Sequence, residues 1–138
     1  MNRQLILNDS GIQVNGSMAA ARILYNELRN LDHEESWALY MNSKNMPIQA
    51  EMITCGTLDS TYMDNRRVIK EALLCDAKSI IIYHNHPSGV PEPGTADIES
   101  TDTLRKCCEL FSLSLLDHII FGKQSYFSFA DAQKHQIR

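Results

Sequence analysis

The sequence predicts a single α/β domain, a mixed β-sheet flanked by helices. Three observations predict it. SIIIY (79–83) is a short, continuously apolar run, the pattern of a strand buried on both faces. Amphipathic stretches with helical spacing stand on either side of it. Short alternating runs joined by tight turns occur both before and after. The 138 residues suit one domain, taken as 1–138, and a hydrophobic share of 43% is enough to build a core.

The elements follow in order. Residues 1–15 read as an extended arm or a short edge strand. SMAAARILYNELRNLD reads as a helix, with Ser17 as its N-cap and Ile23, Leu24, Leu28 and Leu31 on the apolar side. SWALYMN and PIQAEMIT read as a hairpin closed by SKN. DNRRVIKEALLCD is a second helix, capped by Asp64, with Val68, Ile69, Ala72, Leu73 and Cys75 largely on one side. A third helix is expected from Gly94 or Thr95 to about Phe111. LSLLDHIIFG and SYFSF close the chain as strands around the GKQ turn. The predicted order is α-β-β-α-β-α-β-β. Trp37, the only tryptophan, reads as a core anchor.

Composition excludes several classes. The net charge of −4 argues against a strongly basic nucleic-acid binder. Arg66, Arg67 and Lys70, and Arg105 with Lys106, read as solvated helix faces. No apolar run approaches the ~20 residues that span a bilayer, and the N-terminus lacks a signal-peptide pattern. A cytoplasmic location is expected. Cys55, Cys75, Cys107 and Cys108 form no CxxC pair and read as reduced thiols, with Cys75 and at least one of Cys107 and Cys108 in the core.

The chemistry gathers in YHNHPSGVPEPGTAD (83–97). Residues i and i+2 of a strand share a face, so His84 and His86 can aim at one ion. Pro87 lacks an N–H and ends the pairing there. The Gly/Pro-rich loop then leads into a helix whose first turn carries Asp97. Two histidines and an aspartate make a zinc-type set of three protein ligands with an open fourth position.

HNHPSG, the proline-containing loop and the following Asp resemble the JAMM motif of the JAB/MPN metallopeptidase superfamily, specifically its RadC-like branch. The likeness runs from about Val14 to Asp131. It includes ITCGTLDST, RRVIKEAL, AKSIIIYHNHPSG, LLDHIIFG and YFSFAD. The resemblance implies a cytidine-deaminase-like layout and one Zn²⁺ held by His84, His86 and Asp97. It implies a strand glutamate as general base, at the place that Glu51 occupies in QAEMITCGT. It implies that His118 of LLDHII stands outside the metal motif, as a hydrogen-bonded strand histidine. The motif's serine position is Gly94 here, with Thr95 adjacent and Ser88 nearby, so a side-chain oxyanion donor is missing. Asn65 replaces the family's usual proline before the second-helix arginine, and no helix-hairpin-helix region like that of full-length RadC proteins is expected within these 138 residues.

The function expected is therefore a JAMM-type amide hydrolase, a metallopeptidase or isopeptidase acting on a peptide or protein. Two alternatives stand beside it: a metal-binding JAB-like module without turnover, for which Gly94 argues, and a DNA-repair-associated factor acting on nucleic acid, against which the charge argues.

Overall fold

The computed structural model describes residues 3–8, 10–56 and 63–137. The end of the ITCGTLDST segment, from Thr57, lies outside them. The elements are β1 (Gln4–Ile6), α1 (Ser17–Leu28), β2 (Glu35–Met41), β3 (Pro47–Cys55), α2 (Asn65–Leu74), β4 (Ser79–Asn85), α3 (Thr95–Leu110), β5 (Ser114–Phe121), β6 (Ser125–Ser128) and β7 (Gln133–Gln136). One mixed sheet runs in the order β1-β3-β2-β4-β5-β6-β7. Among the described residues, only the β4–β5 pair is parallel. The predicted fold class is the one observed.

Alternation along each strand sorts side chains into two layers. Trp37, Leu39, Ile81, Tyr83, Ile119 and Phe121 pack under α1. Ala38, Tyr40, Ile80 and Ile82 pack under α2 and α3 with Val68, Ala72, Leu104 and Cys108. Trp37 is fully buried, as expected of a core anchor, and its Nε1 donates to Glu35 Oε1 at 3.0 Å. β4 is buried along its whole length because it lies mid-sheet with helices on both sides. Burying each large aliphatic side chain there contributes about 1.5–3 kcal/mol.

The second helix starts as its sequence predicts, with the Asp64 carboxylate accepting the Arg67 N–H at 3.1 Å. The first does not. Gly16 takes the N-cap position and Ser17 is the first helical residue. The Ser17 hydroxyl instead donates to Asp131 Oδ2 (2.5 Å) and lies 2.8 Å from the Tyr126 hydroxyl, tying the helix to the far end of the sheet. The apolar stripe of α1 is also broader than its spacing suggests. Ala20, Ala21 and Tyr25 are buried beside Leu24 and Leu28, whereas Ile23 and Leu31 are only partly covered. Leu73 of α2 faces solvent, and Arg67 is not solvated: its Nη1 donates to the Ile53 carbonyl at 2.9 Å. β7 is largely exposed and polar, so no hydrophobic alternation announced it. The four cysteines are free; Cys108 is buried, Cys75 and Cys107 are half-buried and Cys55 is exposed.

Candidate metal centre

β4 carries the first two site residues to the sheet's upper edge. Ile80, Ile82 and His84 alternate onto the α2/α3 side, and His86 continues that series just past the strand. The turn after it is sharp. Gly89 sits at φ 91°, a left-handed conformation that favours glycine, and its N–H returns to the His86 carbonyl at 2.9 Å. Gly122, after β5, lies so close beneath that a Cβ there would collide with the Gly89 carbonyl. The loop then enters α3, and Asp97 stands in its first turn.

The three side chains meet. His84 Nε2 is 3.1 Å from His86 Nε2, 3.3 Å from Asp97 Oδ1, and the His86 Nε2–Asp97 Oδ2 distance is 3.4 Å. The remaining ring nitrogens fix the tautomers. Thr101 Oγ1 donates to the Asp97 carbonyl (2.7 Å), so it must accept from His118 Nδ1 (2.5 Å). That leaves His118 Nε2 bare, and it accepts from His84 Nδ1 at 2.7 Å. His84 Nε2 is thereby left with a lone pair. His86 reaches the same state independently, since its Nδ1–H donates to the Val90 carbonyl at 2.9 Å. Two imidazole lone pairs and a carboxylate thus face one point, with no proton assigned between them. A cation satisfies all three.

The spacing fits a metal. Bonds of 2.0–2.1 Å in a tetrahedral site set neighbouring ligand atoms about 3.3 Å apart. Two nitrogens and one carboxylate oxygen are a donor set that suits zinc. The charges agree with the geometry. Burial works to raise the Asp97 carboxyl, but the imidazoles of His84 and His86 outweigh it and hold the group well below the usual range. Burial works to lower His86, yet Asp97 and the Val90 carbonyl leave it raised. Burial keeps His118 well below its ordinary value, hence neutral, as the relay requires. The expectation that His118 is a hydrogen-bonded strand histidine holds, and its partner is a candidate ligand.

Glu51, the carboxylate expected as general base, does not stand beside this centre. Glu51 lies opposite Ala38 of β2, and Ala38 lies opposite Ile82 of β4. The carboxylate therefore stands two strands away from His84, about 10 Å across the sheet, and two residues short of it along β4. Its side chain points into α2, with Arg67 Nη2 4.0 Å from Oε1 and no hydrogen bond to Oε2. Burial and the Glu71 carboxylate push it up to about 7, against the pull of Arg67.

Glu34 is the carboxylate that the sequence reading missed. The β2–β4 register pairs Ser36 with His84. Two residues further back, on the same face, is Glu34. It lines a cleft of about 30 Å³, room for a water or two, together with Ser36, Met63, His84, Asp97 and Ser100. Its charge acts on His86. The available signal was a glutamate two residues before Ser36, at the start of a strand. Only the pairing of β2 with β4 gives that position its meaning.

Comparison with known proteins shows the family. The family model for the RadC-like JAB domain matches residues 14–135. The chain belongs to the RadC-like JAB family. Relatives include UPF0758 proteins of Staphylococcus haemolyticus (37% identical over 127 residues, 92% of this chain and 56% of the relative) and Bacillus licheniformis (42% over 109 residues, 79% and 49%). Another, from Histophilus somni, is 40% identical over 108 residues, 78% of this chain and 49% of its own length. The chain spans about half the length of these RadC-family relatives.

Proposed function

We propose that this RadC-like JAB domain is a zinc-dependent amide hydrolase acting on a peptide or protein bond. The observation that carries the reading is the convergence of two imidazole lone pairs and one carboxylate beside a second, non-ligating carboxylate, that of Glu34, in a cleft. His84, His86 and Asp97 would hold one zinc ion. Zinc supplies Lewis acidity, polarising a carbonyl and acidifying water.

The chain's own groups do the rest. Glu34 takes the proton of the attacking water and returns it to the leaving amine, the role first given to Glu51. His118 and Thr101 keep His84 in the tautomer that presents Nε2. Asp97 is held twice: its Oδ2 accepts the Gly94 N–H at 2.8 Å, and its carbonyl accepts from Thr101. Gly94 brings no hydroxyl to the oxyanion, and removing one such donor typically costs about 10²–10³ in turnover. The hydroxyls of Ser36 and Ser100 do line the cleft.

Gly94 also favours a second reading, a metal-loaded binding module without turnover. A role on nucleic acid has less support, because the net charge is −4. No helix among the described residues is long and apolar enough to cross a membrane, which is compatible with the cytoplasmic location expected.

Two measurements test the proposal together. Metal analysis should find about one equivalent of zinc fewer in His86→Ala than in the wild type. Glu34→Gln should keep the metal and lose about 10²–10⁴ of the peptide-hydrolysing rate. Metal-replete wild type without turnover on a broad peptide library would favour the binding module. Full turnover in Glu34→Gln would remove Glu34 from the mechanism.

A further inference from the structure

The sheet edge that presents His84 and His86 carries another cluster on its opposite face. His33, Glu35 and Cys55 bring a ring nitrogen, a carboxylate oxygen and a thiol sulfur within 4.8 Å of one another. Backbone pairing sets this spacing. Glu35 and Cys55 are direct partners across β2 and β3. The Glu35 N–H donates to Asn85 Oδ1, and Asn85 Nδ2 donates to the His33 carbonyl, each at 2.9 Å. Asn85 is the residue between the two histidines of the first centre, so one strand end braces both.

The local chemistry favours a cation. His33 faces a carboxylate on each side: Nδ1 is 2.9 Å from Asp32 Oδ1, and Nε2 is 2.8 Å from Glu35 Oε2. A neutral imidazole has one N–H to donate, so it satisfies one carboxylate and turns a lone pair on the other unless a proton or a metal intervenes. Trp37 anchors the other oxygen of Glu35, which leaves Oε2 facing His33. Three carboxylates gather here, those of Glu27, Asp32 and Glu35. Among the described residues, the permanent cation paired with them is Arg3, 2.7 Å from Glu27 and 3.3 Å from Glu35 Oε2. The nearer partner, Glu27, can keep Arg3 when a metal takes Glu35.

We propose that His33, Glu35 and Cys55 form a second cation site, with Asp32 orienting the imidazole, for a divalent ion of zinc type. The donor set selects the class: a thiolate and an imidazole suit zinc and disfavour magnesium or calcium. A carboxylate on the distal ring nitrogen is the common support of a ligating histidine. On binding, the metal–sulfur bond replaces the Cys55 S–H bond and the proton leaves to solvent, as does any second proton on His33. Cys55 is exposed, so the ion has a way in.

The proposal does not rest on the hydrolase reading. It is tested by titrating chelator-stripped protein with Co²⁺ and following absorption, because sulfur-to-cobalt charge transfer reports a cysteine ligand and the His84/His86/Asp97 centre has none. A charge-transfer band is expected in the wild type, with about two equivalents bound at saturation. Cys55→Ser should lose the band and keep one equivalent. His33→Ala should weaken the binding that gives the band at least tenfold, and a His84→Ala/His86→Ala protein should retain the band. Absence of the band at saturating cobalt, or an unchanged band in Cys55→Ser, would overturn the proposal. Loss of the band in the double histidine variant with Cys55 intact would overturn the independence of the two sites.

Discussion

Glu51→Gln separates the structural account of this residue from the catalytic one. The Glu51 side chain is 9% exposed and lies beside Glu71. Its carboxyl moves from an ordinary value of 4.5 to about 7 in the fold; Glu71 is itself half-buried, so solvent screens the pair and the shift is worth about 1–2 kcal/mol. Between those two values the folded chain binds a proton that the unfolded chain releases. The stabilisation is complete below about pH 4.5 and is lost as the pH rises through 7. An uncharged glutamine escapes that loss. Glu51→Gln should therefore exceed wild type in stability at pH 8 by about 1–2 kcal/mol, and the gain should shrink steadily towards pH 5. Urea unfolding at the two pH values reads this directly: with a slope near 2 kcal/mol/M, the midpoint at pH 8 should rise by roughly 0.5–1 M. Turnover should stay within about twofold of wild type. Identical pH dependence of stability in the two proteins would refute the burial argument. Abolished turnover with intact metal would return the catalytic role to Glu51.

The other predictions concern the supports of the metal centre. His118→Phe should weaken zinc about 10–100-fold in a chelator competition, as loss of a ligand's hydrogen-bond partner typically does. His118→Gln, which keeps an acceptor for His84 Nδ1, should recover part of that loss; equal losses would mean that packing, not the hydrogen bond, matters. Gly94→Ser should fold normally, since a Cβ there meets only Asp97 Oδ2 at 3.8 Å, and should raise peptide turnover if the missing hydroxyl limits the rate. Gly122→Ala should destabilise the protein by about 1–3 kcal/mol through collision with the Gly89 carbonyl, measured by thermal unfolding, and should lower zinc affinity by displacing the His86 turn.

Much of the centre could be read along the chain because its signals are local. His84 and His86 are two residues apart, so one extended backbone carries both to one face. Pro87 and the glycine after it end that strand, and Asp97 stands in the first turn of the next helix. The helix and strand order was legible for the same reason, except where the pattern was weak: β1 is three residues long and β7 is polar and exposed. Ser17 looked like a cap because its type fits one, yet Tyr126 and Asp131, more than a hundred residues away, claim its hydroxyl.

The choice between Glu34 and Glu51 shows the boundary most clearly. Both carboxylates lie on the α2/α3 side of the sheet, so alternation cannot separate them. The register separates them: Ser36 lies opposite His84, whereas Glu51 lies across Ala38 from Ile82. The sequence by itself determined the fold class, the converging triad and the family, because each is written in local patterns: helix and strand periodicity, the spacing of His84, His86 and Asp97, and motif segments from Val14 to Asp131. Tertiary structure alone decided which acid faces the imidazoles, how His118 and Thr101 orient them, and that His33, Glu35 and Cys55 meet behind them. Those contacts depend on strands that pair across the sheet without being neighbours in the chain, and no local periodicity encodes that pairing.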